Sequence, residues 1–269
     1  MFTILQISDA HLSPRNGLFR TNLARLRDWA EAERPDLLIA SGDLSLDGAD
    51  REEDLALAVE TLRGFGVPLL AIPGNHDVGS HARTMPAQPV DAARLDRFRH
   101  VVGPDWWMRD VPSWRIIGLD TEIMGTGLEA EAAQAGFIAE AAATERRLAL
   151  FLHKPVFITK PSDPTFDYWS VPPQARAALA PVLGHPGLRL VASGHLHLHH
   201  GFQRGAVRYA WAPPASFVVD LPQDGLPGER RTGALLHRLL EDEVETSLVS
   251  PEGMELPWLS AIRAETYPG

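Results

Sequence analysis

The chain has no cysteine among its 269 residues. This absence excludes disulfides, thiolate zinc sites and a cysteine nucleophile. Any catalytic or metal site must therefore be built from histidine, aspartate, glutamate, asparagine or main-chain groups. Nitrogen and oxygen ligands of this kind suit hard or borderline metal ions.

Positive charge and long apolar runs are also scarce. Lysine and arginine number 25 against 35 aspartates and glutamates, which gives a net charge of −10. Without a basic stretch we expect no nucleic-acid partner. No run of apolar residues is long enough to cross a bilayer, and the first residues do not resemble a secretory leader. We therefore expect no membrane association and a cytoplasmic location.

What the chain does contain is a set of short apolar runs rich in Ile, Leu and Val, which predict buried strands. They read FTILQIS, DLLIASG, VPLLAIPG, WRIIGLD, RRLALFLH and LRLVASGH. Helical periodicity appears between them in TNLARLRDWAEAE and in REEDLALAVETLRGFG, which ends in glycine. Alternating strands and helices predict an α/β fold with a largely parallel central sheet.

We expect residues 1–269 to form a single domain, because no composition break or linker interrupts the chain. From about residue 201 the pattern changes to four strand-like runs, AVRYAWAP, ASFVVDLP, GALLHRLL and VETSLVSP. Residues 201–269 are accordingly expected to supply a second sheet and a tail. Residues 78–112 and 159–173 lack steady periodicity and are predicted to be long loops, which are often functional.

Polar side chains follow five of the predicted strands, at the point where each strand ends. They are Asp9 and His11, then Asp43, then Asn75, His76 and Asp77, then His153, and finally His195 and His197. The carboxyl ends of parallel strands line one crevice, so these residues should converge there. Glycine before Asp43, Asn75 and His195 allows the chain to turn sharply out of each strand.

The ordered series D-x-H, G-D, G-N-H-D, H and G-H-x-H, over residues 9 to 197, resembles the calcineurin-like metallophosphoesterase superfamily. The resemblance implies a two-sheet β-sandwich flanked by helices, in four αββα layers, with a dinuclear metal centre. By that resemblance Asp9, His11 and His197 hold one ion, Asn75, His153 and His195 hold the other, and Asp43 bridges both. The ions expected are two divalent or mixed-valence ions of Mn, Fe or Zn.

The resemblance also implies the reaction. Two neighbouring divalent ions can share a carboxylate and a hydroxide, which attacks the phosphorus atom in line with the leaving group. His76 resembles the superfamily's histidine that contacts a phosphate oxygen or protonates the leaving group, so His76 and Asp43 are the expected catalytic residues. Asp77 orients a neighbour or simply forms a turn.

Within the superfamily, the short spacing resembles the bacterial class III cyclic-nucleotide phosphodiesterases and glycerophosphodiesterases. That branch often has His-His-Pro where this chain reads LHKP. Lys154 either adds positive charge near the site or points outward, and we favour a surface lysine. Arg15 follows the first motif and could contact a phosphate, but the other motifs show no cluster of arginines, which favours a diester with one charge over a monoester with nearly two.

Several readings stay open. A phosphomonoesterase or nucleotide pyrophosphatase would use the same metals, and a non-catalytic interaction module could share the fold. Five aromatic residues either stack on a substrate or pack loops onto the domain: Trp106, Trp107, Tyr168, Trp169 and Trp211. The substrate is expected to be a small phosphoester, and the apolar final segment packs on the domain or on a second subunit of a homo-oligomer.

Overall fold

The computed structural model describes residues 1–220 and 225–266. Its strands are β1 (Phe2–Ile7), β2 (Leu37–Ser41), β3 (Leu69–Ile72), β4 (Trp107–Val111), β5 (Trp114–Gly118), β6 (Arg147–Phe151), β7 (Leu188–Ser193), β8 (His200–Arg204), β9 (Val207–Trp211), β10 (Ala234–Leu239) and β11 (Val244–Val249). Its helices are α1 (Arg20–Glu33), α2 (Glu52–Arg63), α3 (Asn75–Val78), α4 (Ala92–Val101), α5 (Glu129–Ala142), a 3₁₀ helix (Pro173–Leu179), α6 (Ala180–Leu183) and α7 (Leu259–Thr266).

The strands form two sheets. The five-stranded sheet has the order β11-β10-β1-β2-β3, and the six-stranded sheet has the order β4-β5-β6-β7-β9-β8. Strands β1, β2 and β3 are parallel to one another. Strands β5, β6, β7 and β9 are parallel in the second sheet, with β4 and β8 antiparallel at its two edges.

Alternation along the strands produces the layers. In β2, Leu37 and Ile39 face the interior between the sheets, whereas Leu38 and Ala40 face outward. Successive side chains of a strand point to opposite faces, so a continuous apolar run of this kind is buried on both sides. The interior is filled from the opposite sheet by residues such as Phe151.

Helices cover the outer faces of both sheets. Leu26 of α1 and Leu62 of α2 pack with the outward residues of the five-stranded sheet. Ile138 of α5 and Val182 of α6 pack with the outer face of the six-stranded sheet. The fold class is therefore confirmed: two sheets lie between helices, in an αββα arrangement.

The C-terminal strands differ from the expectation. Strands β8 and β9 join the six-stranded sheet, whereas β10 and β11 extend the five-stranded sheet beyond β1. Residues 201–269 thus add strands to both sheets and do not supply a second sheet, because β10 pairs with β1 from Phe2↔Leu239 to Gln6↔Leu235. The run ASFVVDLP is not a strand in its described residues 215–220.

One of the two predicted loops is confirmed. The loop predicted over residues 159–173 contains neither helix nor strand up to residue 172, and Pro173 begins the 3₁₀ helix. The prediction of a loop over residues 78–112 is wrong, because that segment contains α4 and β4. Leu95 and Phe98 of α4 are buried and pack with Leu55 of α2. These tertiary contacts stabilise α4, although its sequence shows no clear helical pattern of apolar residues. No helix within residues 1–220 and 225–266 is long and apolar enough to cross a membrane.

His237 lies on β10, buried between the sheets. Its ring nitrogens are 2.9 Å from Gln6 Oε1 and 2.9 Å from Thr246 Oγ1. Burial, with a smaller contribution from Arg208, lowers the pKa of His237 to about 3. The ring is therefore neutral in the folded protein over the whole range in which an unfolded histidine titrates.

This buried imidazole predicts a pH dependence of stability. Below about pH 6.5 the unfolded chain binds a proton at His237 that the folded chain does not. The free energy of unfolding therefore decreases as the pH is lowered from 6.5 to 3. At pH 5 the loss from this group is about 2 kcal/mol. We expect His237→Gln, whose amide can bond Gln6, to remove that loss when the free energy of unfolding is measured from pH 7 to 5.

The matched control is His100→Gln, which removes one imidazole from an exposed position of α4. The same pH dependence in His237→Gln and in the unsubstituted protein would contradict the assignment.

Candidate metal centre

The carboxyl ends of five strands, three from one sheet and two from the other, meet at one edge of the sandwich. The ligand atoms of Asp9, His11 and His197 lie within 4.8 Å of one another, and so do those of Asp43, His153 and His195. These two groups match the sets expected from the sequence, apart from Asn75. All six side chains are buried.

Asp43 lies between the two groups. Its Oδ2 atom is 3.7 Å from His11 Nε2 and 3.3 Å from His153 Nε2. One carboxylate therefore reaches both groups, which is the position expected of a bridging ligand. Its other oxygen, Oδ1, accepts a hydrogen bond of 2.8 Å from the main-chain N–H of His76.

Five of these residues have a left-handed backbone. The φ angles are 54° at Asp9, 47° at His11, 50° at Asp43, 68° at His195 and 52° at His197. This conformation is uncommon outside glycine and costs roughly 1–3 kcal/mol per residue. Its concentration at one edge of the sandwich indicates that the position of these side chains is maintained against local preference.

The three glycines before the ligands are required mainly for space. A Cβ atom at Gly74 would lie 2.2 Å from Asp43 Oδ1, and one at Gly194 would lie 2.7 Å from Asp9 Oδ2. At Gly42, where φ is +91°, a Cβ atom would lie 2.2 Å from His153 Nδ1. Glycine allows the ligand loops to approach one another this closely.

Asp77 joins two of the loops. Its carboxylate accepts hydrogen bonds from the main-chain N–H groups of Leu44, Ser45 and Gly74, at 3.1, 3.0 and 2.9 Å. The side chain thus shapes its own turn and also holds the residues that follow Asp43. These contacts support the turn role predicted for Asp77, since they join its carboxylate to main-chain groups and not to a ligand side chain.

Main-chain carbonyl groups fix which nitrogen of His153 and of His197 faces the centre. His153 Nδ1 is 2.9 Å from the carbonyl of Ser41, and His197 Nδ1 is 2.6 Å from that of Phe217. A neutral imidazole that donates from one nitrogen presents a lone pair at the other. In both residues Nε2 is therefore the nitrogen that faces the carboxylates, and it presents a lone pair when the ring is neutral.

Several ligand atoms make no hydrogen bond to the described residues. Asp9 Oδ1, Asn75 Oδ1 and His153 Nε2 are buried and make no hydrogen bond. Two further nitrogens, the Nε2 atoms of His11 and His197, face each other at 3.2 Å. Unpaired buried polar atoms are costly, and bound cations would satisfy all of them. The donor set fits two divalent ions, one in each group.

Burial and neighbouring charges set the protonation of these residues. Burial lowers the pKa of His11 and of His195 well below the usual histidine value, so both rings hold a lone pair. Burial alone would also lower the pKa of His153, but Asp43 outweighs it and raises that pKa to about 10. Burial would raise the pKa of Asp43, but His153 and His76 hold it well below its usual range. Asp43 is thus a carboxylate at neutral pH, and cation binding beside it displaces a proton from His153.

His76 lies beside the first group, at the mouth of the centre. Its ring makes an edge contact with that of His11, with centroids 4.7 Å apart. Its Nδ1 atom is 2.8 Å from the carbonyl of Leu46, so Nε2 is the nitrogen that can exchange a proton with a ligand. A cavity of about 260 Å³ opens here, lined by Arg15, Leu46, Asp47, His76, Met85, Gln88, Tyr168 and Thr266.

The expectation of an outward-pointing Lys154 is wrong. Its side chain is only 5% exposed, and Nζ lies 2.7 Å from Glu122 Oε2 and 2.7 Å from Ser80 Oγ. The buried carboxylate of Glu122 compensates its charge, so Lys154 does not act as an unpaired cation. The partners are distant in sequence, and no local pattern near LHKP indicates them.

The aromatic residues fall into two classes. Trp107 and Trp211 are buried and belong to the core, with Trp107 Nε1 donating to the carbonyl of Ala71 at 2.7 Å. Trp106 packs against the guanidinium of Arg99 on α4. Tyr168 and Trp169 contact the ring of His195, at centroid distances of 4.8 and 5.9 Å. Packing therefore explains three of the five, and the centre is adjacent to the other two.

Other acidic residues and histidines lie outside the two groups. Asp120 is buried with an unpaired Oδ2, and burial raises its pKa well above the usual value, but no metal-ligating group of the described residues includes it. Asp47 pairs with Arg51 and Arg15 at the cavity. His200 lies on the edge strand β8, half-buried, and His199 precedes it. The main-chain carbonyls that orient the histidines escaped the sequence analysis, since side-chain patterns carry no signal of them.

Comparison with known proteins gives one family. The family model for calcineurin-like phosphoesterases matches residues 2–199. A probable cyclic nucleotide phosphodiesterase from Synechococcus sp. is 28% identical over 240 residues, covering 82% of this chain and 83% of that protein. The 3′,5′-cyclic adenosine monophosphate phosphodiesterase CpdA of Pseudomonas aeruginosa is 29% identical over 228 residues, covering 78% and 75%.

A solved structure shares the fold. A dimetal phosphatase from Danio rerio aligns with a TM-score of 0.55 and 16% identity, covering 93% of this chain and 99% of that one. The names of the relatives agree with the branch that the motif series resembles. The two ligand groups, the fold and the family match lead to the same conclusion: the chain belongs to the calcineurin-like phosphoesterase family and is a phosphoric ester hydrolase.

Proposed function

We propose that the protein is a dinuclear-metal phosphodiesterase that hydrolyses a small diester, such as a cyclic nucleotide or a glycerophosphodiester. The observation that carries the proposal is the pair of buried ligand groups with Asp43 between them. The names of the related proteins support a diester substrate.

The proposed ligand sets follow the two groups. Asp9, His11 and His197 would hold one ion, and Asn75, His153 and His195 would hold the other, with Asp43 shared. Imidazole, carboxylate and amide ligands suit Mn, Fe or Zn. When bound, two such ions acidify water and polarise the phosphoryl oxygens.

The protein side chains supply the rest of the chemistry. His76 is placed to exchange a proton with the leaving-group oxygen through Nε2, because Leu46 holds Nδ1. The left-handed ligand loops keep the donors in place before substrate arrives, so the reaction requires little rearrangement of the protein.

The charges around the cavity support a diester. Arg15 Nη2 is 3.2 Å from Asp54 Oδ2 and 3.5 Å from Asp47 Oδ2, so its charge is already compensated. Among the described residues that line the cavity, Arg15 is the only lysine or arginine. A monoester carries nearly two negative charges and would leave one without a cationic partner.

The substrate class is tested by kcat/KM of the Mn-loaded protein. Bis(4-nitrophenyl) phosphate and 4-nitrophenyl phosphate form a matched diester and monoester pair with the same leaving group. Cyclic AMP and glycerophosphodiesters extend the series to natural diesters. We expect a diester preference of about tenfold or more, equivalent to ~1.4 kcal/mol in the transition state. A monoester preference would overturn the substrate class and keep the metal centre.

The bridging role of Asp43 is tested by Asp43→Asn. The amide lacks the charge that two cations share, so we expect fewer than two bound Mn ions per chain by elemental analysis. Activity should fall by about 10²–10³-fold, as after loss of one electrostatic stabiliser. Asp47→Asn, on the same loop, is the matched control and should bind both ions. Two bound ions and a near-normal rate in Asp43→Asn would reject the bridge.

His76→Ala separates a proton-transfer role from a ligand role. The substitution keeps the main-chain N–H that bonds Asp43, so we expect intact metal content with a rate about 10²–10⁴-fold lower. Loss of metal would instead make His76 a ligand, in line with its position within 4.8 Å of His11 and Asp43.

A further inference from the structure

Tyr168 lies in the irregular segment 159–172 and contacts two of the proposed ligands of the second ion. Its hydroxyl accepts a hydrogen bond of 2.8 Å from Asn75 Nδ2. Its main-chain carbonyl is 3.0 Å from His195 Nε2, and its ring is 4.8 Å from the His195 ring. One residue thus reaches two side chains that come from different sheets.

The Tyr168 hydroxyl bonds one end of the Asn75 amide, and in the structure that end is Nδ2. An amide carries an acceptor oxygen and a donor nitrogen at nearly equal positions, and only the oxygen can bind a cation. Because Nδ2 bonds Tyr168, the buried Oδ1 is the end of the amide that has no hydrogen bond and is available to a cation. Without the hydroxyl, the amide could turn and present its N–H₂ group.

The carbonyl contact acts on His195 in a different way. A hydrogen bond from Nε2 to the Tyr168 carbonyl leaves the lone pair on Nδ1. This contact uses the main chain, so it persists when the side chain at position 168 is shortened. A substitution that removes only the hydroxyl therefore tests the Asn75 contact alone.

The position of Tyr168 is fixed by contacts of its ring and of the neighbouring main chain. Lys154 Nζ lies 5.2 Å from the centre of its ring, and Lys154 is fixed by the buried Glu122 and by Ser80. The next residue is also fixed, since its N–H donates to Asp167 Oδ1 at 2.9 Å. The position of the hydroxyl is thus determined by the surrounding protein before any ion binds.

We propose that Tyr168 is a positioning residue, which orients Asn75 and His195 and so sets the affinity of the second metal position. The proposal rests on the ligand sets of the proposed function. It assigns the lysine of LHKP an indirect role as well: Lys154 supports the ring of Tyr168.

The test is calorimetric titration of the metal-free protein with Mn²⁺, which measures binding and not activity. We expect two binding events in the unsubstituted protein. In Tyr168→Phe one of them should weaken by about tenfold or more, the usual effect of removing a group that orients a metal ligand, while the other is unchanged. Tyr209→Phe, a half-buried tyrosine that stacks on Phe202 away from the centre, is the matched control.

The same substitution in an Asn75→Asp variant distinguishes loss of amide orientation from a general loss of structure at the metal site. Asn75→Asp presents an oxygen in either orientation, so Tyr168→Phe added to Asn75→Asp should leave the affinity unchanged. Equal weakening in both backgrounds, or no weakening in Tyr168→Phe alone, would overturn the positioning role. Absence of a second binding event in the unsubstituted protein would contradict the proposed function instead.

Discussion

The burial of Asp9 and Asp43 without a lysine or arginine is the constraint on which the rest of the centre depends. Within the described part of the chain, the charged groups within 4 Å of these carboxylates are histidines alone. A buried carboxylate is costly unless positive charge and hydrogen bonds compensate it. Burial opposes protonation of the neighbouring imidazoles, but Asp43 raises the pKa of His153 to about 10 and Asp9 raises that of His197. Bound cations would take over this compensation from the buried imidazolium groups.

The sandwich makes that arrangement geometrically stable. The aspartates and the asparagine come from the five-stranded sheet, whereas His153, His195 and His197 come from the six-stranded sheet. The two ligand groups each draw on both sheets, so the centre forms only when the sheets are packed in one relative position. The shared apolar layer, which includes Trp107, Trp114 and Phe151, fixes that position. The packing of the apolar core thus determines how accurately the ligands are placed relative to one another.

Much of this could be predicted from the sequence because two patterns coincide. Short apolar runs indicate buried strands, and polar residues directly after them indicate one shared edge. The ligand residues come directly after the apolar runs. The apolar runs therefore predict where the ligands lie, and the ligand residues indicate where each strand ends. Helix α2 and its terminal glycine were equally readable, since the apolar period and the stop signal agree.

The rest depends on contacts between residues that are far apart in sequence. Lys154 is 32 positions from Glu122 and 74 from Ser80, so its burial has no local sign. The distribution of the last strands between the sheets depends on pairing with β1, and alternation alone does not name a partner. Trp107 looks like a rim residue by its neighbours Pro104 and Asp105, yet β4 turns it into the interior.

The pairing of β1 with β10 also sets the order in which the protein can be assembled. Strand β1, which precedes Asp9 and His11, is synthesised more than 200 residues before its partner, since Phe2 pairs with Leu239. At about 5–20 residues per second, the delay between these strands is on the order of ten seconds or more. During that interval β1 has one open edge, which invites pairing with other chains. The five-stranded sheet that carries Asp9, His11 and Asp43 is therefore complete only after β10 has been synthesised.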